Sequence, residues 1–146
     1  MGIKPETENK AIYESIKKIM LPGTKIPRSR AQEPYLFIRW GRSRGEEALV
    51  FQIPTRPGTK KPSEKRIPRS VFEESHKTLL EHGLITCAWF VDTFPEVGKD
   101  GLCTFTAVGG VFELLKLATK TNPGIYRYVH AKDWVSPFSL TSSKKR

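Results

Sequence analysis

Prolines at 54, 57, 62 and 68 fall inside the stretch PTRPGTKKPSEKRIPR. Proline has no amide hydrogen to give and disfavours helical geometry in the residue before it. No helix can cross this stretch, and no central strand can use all of it. It therefore reads as a linker, and it partitions the chain. Lys60, Lys61, Lys65, Arg66 and Arg69 dominate its charge. The division expected is one domain over 1–146 with two lobes: 1–56, a basic linker at 57–69, a second lobe at 70–130 and a tail at 131–146.

Upstream of the prolines, Ile12, Ile16, Ile19 and Met20 recur at helical spacing, with Lys10, Lys17 and Lys18 off that stripe. A helix over residues 6–20 follows. Pro22-Gly23 ends it, and a basic loop leads on. Residues 35–40 and 48–53 are aromatic and β-branched, and GRSRGEE between them reads as a turn. The segment is a β-hairpin whose nearly continuous apolar arms call for cover on both faces. Arg42 and Arg44 stand at its tip, with Arg39 close by.

Downstream, Ser70 and Glu73 have capping-box spacing at the start of a helix. Phe72, His76, Leu79 and Leu80 form its apolar face, and Gly83 stops it. A short helix is expected over 86–94, with Trp89, Phe90 and Phe94 inward and Pro95 ending it. After the loop EVGKDGLC, a third helix is expected over 106–119, burying Val108, Phe112 and Leu115. TNPG is a turn, IYRYVH a final strand and TSSKKR a basic tail. The fold class expected is α+β: an N-terminal helix and hairpin, the linker, then three helices and a C-terminal strand.

Over residues 70–130 that order resembles a helix-turn-helix or winged-helix arrangement. The likeness is one of element order, and the connection FPEVGKDGLCTF is longer than a tight helix-turn-helix turn. What the resemblance implies is a recognition helix beginning near Thr106 and a hairpin serving as wing. That helix would carry Gly109-Gly110 in its first turn, although each glycine in a helix costs about 1 kcal/mol relative to alanine. Close packing beside Trp89 and Phe90 accounts for the pair best. Free amides at the helix start, holding a phosphate, are the rival reading.

Composition narrows the function. Lys plus Arg number 25 against 15 Asp plus Glu, a net +10. A basic domain of this size favours polyanions, nucleic acid before anionic membrane and DNA before RNA. No apolar run nears the roughly 20 residues of a membrane span. The start MGIKPE has no apolar signal region, and Glu6 stands where myristoylation wants Ser or Thr. Cys87 and Cys103 make no disulfide framework, so a cytoplasmic setting is expected.

Catalytic motifs are missing. Cys87 and Cys103 each lie alone, and His76 and His82 do not share a helix face, so no metal site is expected. His76 sits on an apolar stripe with neither Ser75 nor Cys87 at triad spacing, and reads as a core histidine. GIYRYV lacks the second strand of the nucleases that carry a Gly-Ile-Tyr strand. Glu46-Glu47 and Glu73-Glu74 lack D…E-x-K spacing, and EVGKDG is no P-loop. Neither an enzyme nor a cofactor is the leading expectation. That expectation is a nucleic-acid-binding protein for duplex DNA, contacting it through Arg39, Arg42, Arg44, Lys60, Lys61, Lys65, Arg66 and Arg127, with Gly109 and Gly110 as the anion-contact candidates. Phe37, Trp89, Phe90 and Phe112 are assigned to packing. Two rivals are a regulatory subunit with an acidic protein partner and a small metal-dependent nuclease using Glu46, Glu47, Asp92 or Glu96. The oligomeric state is left open.

Overall fold

The computed structural model describes residues 5–28, 33–54, 63–98 and 103–129. It is a mixed α+β structure with two antiparallel sheets. Helix α1 (Pro5–Ile19) is followed by strands β1 (Lys25–Ile26), β2 (Tyr35–Ser43), β3 (Glu46–Ile53) and β4 (Ser63–Pro68), which form one sheet in the order β1-β2-β3-β4. Helix α2 (Arg69–His82), strand β5 (Leu84–Thr86), helices α3 (Cys87–Thr93), α4 (Pro95–Gly98) and α5 (Cys103–Leu114), and strands β6 (Ala118–Asn122) and β7 (Ile125–Tyr128) complete it. The second sheet has the order β5-β7-β6.

On α1 the buried stripe is Ile12, Tyr13, Ile16 and Met20, whereas Ile19 is exposed. Tyr13 takes the place expected of Ile19 because an i, i+4, i+8 row from 12 runs through 16 and 20 and leaves 19 on the flank. Gly23, at φ +96, turns the chain so that its amide reaches the Phe37 carbonyl at 2.9 Å. The Phe37 amide returns a bond to Thr24 O at 2.8 Å. The basic loop expected here thus contains a short strand.

The hairpin is tighter than GRSRGEE suggests. Ser43 pairs with Glu46, so only Arg44 and Gly45 turn. Both have positive φ, 53° and 83°, which is the type I′ pattern. A bulge between Phe37 and Arg39 resets the side-chain alternation.

The linker reading is corrected from Ser63 onward. Residues 55–62, with Lys60 and Lys61, lie outside the described residues. Residues 63–68 form β4, paired with β3 from Ser63↔Ile53 to Pro68↔Ala48. The prolines bracket this strand rather than forbid it. Pro54 follows β3 and Pro68 closes β4, and an edge strand tolerates a proline at its end. Only Ile67 of β4 reaches the core, so no apolar alternation announces it.

The cap of α2 is also corrected. The Glu46 carboxylate, from the start of β3, accepts the Ser70 amide at 2.7 Å and the Ser70 hydroxyl at 2.8 Å. Glu73 instead takes Arg69 at 2.8 Å. Gly83 ends α2 as expected, at φ +82 with its amide on Leu79 O. Thr86 Oγ1 caps α3 by accepting the Trp89 amide at 3.0 Å.

Helix α5 begins at Cys103 and stops at Leu114, so residues 118–119 belong to β6 and not to the expected helix. Lys116, at φ +65, turns the chain into that strand. One hydrophobic cluster joins both halves: Tyr13 and Ile16 of α1, Phe37, Leu49 and Phe51 of the first sheet, Phe72 of α2, Phe105 and Phe112 of α5 and Tyr126 of β7. Phe37, Phe90 and Phe112 are fully buried, and Trp89 packs against the cluster edge.

Candidate functional site

The hairpin and β4 bring dispersed arginines together. Register places Arg39 opposite Val50, and Val50 opposite Arg66. Directly opposed residues share a sheet face, so these form one row across β2, β3 and β4. The neighbouring rows on that face are Leu36–Gln52–Glu64 and Gly41–Ala48–Pro68. The opposite face carries the core rows Phe37–Phe51 and Trp40–Leu49–Ile67.

Arg66 lies across its face of the sheet. Its Nη1 donates to the Arg42 carbonyl at 2.7 Å, on the far side of β3. A methyl placed on Gly41 would stand 3.1 Å from both Arg66 Nη1 and Val50 Cγ2. Val50 and Ala48 have no exposure although they face away from the core rows. Arginine stems cover apolar surface while their heads stay wet, and Arg66 does so here. An arginine side chain thus shields Val50 on the outer face of β3 and leaves that face, among the described residues, free of a further packed strand.

The charges on this face and at the adjoining turn have weak partners, although Arg42, opposite Glu47, starts from the other face. Arg39 meets Glu64 at 3.3 and 3.5 Å, with both side chains nearly half exposed. Arg42 donates to Gly45 O at 2.7 Å and holds the turn. Arg44 reaches Glu96 of α4 at 2.9 Å, and both remain more than half exposed. Exposed pairs of this kind are worth well under about 1 kcal/mol and open readily to a competing anion. Lys65 lies opposite Phe51, so its Cβ starts on the core-facing side.

The cations on the α1 side are differently engaged. Lys17 bonds Glu47 at 2.9 Å and stands 5.5 Å over the Trp40 ring. Arg69 sits 4.9 Å over the Tyr13 ring. These groups knit α1 to the sheet and α2. Burial and the nearby Glu47 push the Tyr13 phenol well above its ordinary range.

Other expected site residues lie apart from the arginine row. Arg127 belongs to β7 in the second sheet, between Leu84 and Thr119, and is exposed. Gly109 and Gly110 are in the middle of α5, not its first turn, and both are buried. A side chain at Gly109 would overlap the Tyr126 ring, and one at Gly110 would strike the Pro27 carbonyl oxygen. Close packing explains the pair. The residues packed there are Tyr126 and the β1 end, rather than Trp89 and Phe90.

Helix α5, the candidate for the recognition helix, has no basic side chain. Eight of its residues are buried, from Thr104 and Phe105 through Ala107 to Phe112. Its one carboxylate, Glu113, accepts the Lys120 amide of β6 at 3.0 Å. Helix α5 is a core element, closed on one side by Tyr126 and on another by Ile26 and Pro27.

The carboxylates considered for a nuclease are dispersed in their roles. Glu46 caps α2, Glu47 holds Lys17 and Glu96 holds Arg44. Among the described residues no three His, Cys, Asp or Glu side chains group as a metal site, and no helix is long and apolar enough to cross a membrane. His76 is 5% exposed beside Phe112, and burial lowers its pKa to about 4.

Two clefts are not legible in the sequence. One, of about 220 Å³, lies between Arg44, Ser70, Phe94 and Glu96. The larger, of about 370 Å³, opens beside the Leu36–Gln52 pair and is lined by Lys25, Glu33, Pro34 and Pro54 as well. Tyr35 also lines it. Burial, and then a bond with the Cys103 side chain, push its phenol up to about 12. Arg28 stacks 4.5 Å over the Tyr35 ring and donates to the Glu33 carbonyl. The outward step of Gln52 in β3 is the one available signal for this cleft; Lys25 and Glu33 reach it only through the β1–β2 pairing.

Comparison of the chain with protein-family models, with curated proteins and with solved structures returns no match.

Proposed function

We propose that the protein binds nucleic acid along the phosphate backbone, through the open face of the first sheet. The observation that carries this reading is the row Arg39–Val50–Arg66, with Arg42 and Arg44 at the adjoining turn. Guanidinium groups offer paired donors that suit phosphate oxygens, and among the described residues the carboxylate partners of Arg39 and Arg44 are exposed. The net +10 supplies the long-range attraction.

In this reading residues 69–128 form a winged-helix-like unit. Three features support it: the helices α2, α3 and α5, the β6–β7 hairpin that follows α5, and the strand order β5-β7-β6. The β6–β7 hairpin is the wing, and its exposed Lys120 and Arg127 offer a second backbone contact. The unit is a scaffold. A buried helix without basic side chains does not enter a groove, so base readout by α5 forms no part of the proposal.

The test is fluorescence anisotropy with duplex DNA, single-stranded DNA and RNA at two salt concentrations. Wild-type protein is expected to bind with a steep salt slope. Replacing Arg39 and Arg66 together by Gln should weaken binding and flatten the slope by about 0.7–0.9 for each phosphate no longer neutralised. Wild-type affinity in the folded double variant, or no binding at low salt, would overturn the reading and move the search to an acidic protein partner.

A further inference from the structure

Resting on that reading, we infer that the 370 Å³ cleft beside Leu36 and Gln52 receives an unpaired base of a single strand whose phosphates lie on Arg39 and Arg66. The volume suits one base with its sugar. Its walls divide by chemistry. Leu36, Pro34 and Pro54 are flat or apolar and can take the face of a ring. The Gln52 amide offers a donor and an acceptor to a base edge, Glu33 accepts from an exocyclic amine, and Lys25 donates.

Charge fixes how a nucleotide would lie. Glu33 lines the cleft, and Glu64 stands opposite Gln52 in the same row. Lys25 and Glu33 bring opposite charges to the cleft, so a phosphate gains little there, whereas in the next row Arg39 and Arg66 flank Val50 and can take it once Glu64 yields Arg39. Gln52 and Val50 are two positions apart on one strand face, about 7 Å, which is the scale of one nucleotide step in an extended strand. Base in the cleft and phosphate on the arginines is then the arrangement that suits both rows. A stacked duplex cannot supply it, because its base faces are covered and its edges lie within the grooves.

The experiment compares a short labelled single strand, the same strand with abasic sites, and the duplex, each as DNA and as RNA. The proteins are wild type, Leu36→Trp, which fills the cleft, Gln52→Ala, which removes its base-edge partner, and the Arg39→Gln/Arg66→Gln double variant. Circular dichroism melts establish that each is folded. Wild type should prefer the base-bearing strand over the abasic one by about tenfold. Leu36→Trp and Gln52→Ala should each erode that ratio and leave abasic binding unchanged. Equal wild-type affinity for the two strands, or an unchanged ratio in both folded cleft variants, would overturn the cleft assignment. If the arginine double variant still weakens binding in that case, the backbone reading survives alone. If wild type binds no strand, both fall.

Discussion

Gly109→Ala sets two opposed effects against each other. Alanine in the middle of a helix gains about 1 kcal/mol over glycine, so on an open face the change would stabilise. Here the new methyl would occupy the space of the Tyr126 ring. That ring has little freedom to yield. It is 1% exposed, meets Phe105 edge-on at 5.4 Å, and belongs to the central strand of its sheet. Overpacking a core by one carbon costs about 1–3 kcal/mol, and expelling a large ring costs about 3–5 kcal/mol. After the helix gain, the net loss expected is about 2 kcal/mol. For a chain of this length that lowers the melting temperature by about 4–8 °C. Differential scanning calorimetry reads it directly.

A double-mutant cycle separates this packing from any general damage. Tyr126→Ala alone should be strongly destabilising. In that background Gly109→Ala should become neutral, or stabilising by up to about 1 kcal/mol. Gly110→Ala supplies the control. Its methyl meets the Pro27 carbonyl oxygen, with Ile26 Cγ2 at 2.7 Å, so truncating Tyr126 should not rescue it. A Gly109→Ala protein that melts at or above wild type would refute the close approach of α5 and β7.

Glu46→Ala should cost about 1–2 kcal/mol in chemical denaturation, because it strips both bonds from the start of α2, whereas Glu73→Ala should cost less; equal losses would return the cap to Glu73. His76 is held neutral by burial, with a pKa near 4 against about 6.5 when unfolded. The unfolded state therefore takes up its proton first, and stability should fall as pH drops from about 6.5 to about 4, by up to about 3 kcal/mol. Denaturation midpoints of wild type and His76→Gln across that window would converge toward low pH; parallel curves would refute the assignment. Arg44→Ala should change stability by less than about 0.5 kcal/mol, since its pair with Glu96 is exposed, yet it should reduce nucleic-acid affinity at low salt.

Elements with strong local chemistry are legible in the sequence. The stripe of α1, the hairpin arms and the Gly83 stop follow from apolar spacing and backbone permissiveness. What escapes depends on partners distant in the chain. Strand β1 is only Lys25 and Ile26, and it exists because Phe37 supplies both bonds to the Gly23–Thr24 corner. Strand β4 carries one core residue amid charges, so its sequence resembles a loop until β3 pairs with it. The β6 segment reads as the end of a helix because Leu115 and Ala118 continue the spacing of α5. Lys116 breaks that continuation by adopting positive φ, which nothing in its own side chain demands. The capping box fails for a similar reason. Ser70 and Glu73 have the right spacing, but Glu46, distant in sequence, takes both Ser70 donors.

The arginine row shows how such distant pairing decides a surface. Arg39 and Arg66 are each visible as charges, but nothing local makes them neighbours. Their adjacency follows from the register Leu49↔Ile67 and Val50↔Arg66. A slip of β4 by one residue would turn Ile67 outward and drive the Arg66 guanidinium toward the core that holds Phe72 and Leu49, leaving a charge in a dry interior. The hydrophobic demand of one residue, Ile67, therefore fixes where the charge of the preceding one must lie. The bulge at Phe37/Arg39 does the same on β2. Without it the alternation that points Phe37 inward would also send Arg39 inward, and Trp40 would leave its place against Tyr13. Two independent core requirements thus put both arginines on the open face. The position of the charge is a consequence of how the core packs, while its use is a property of what the open face meets.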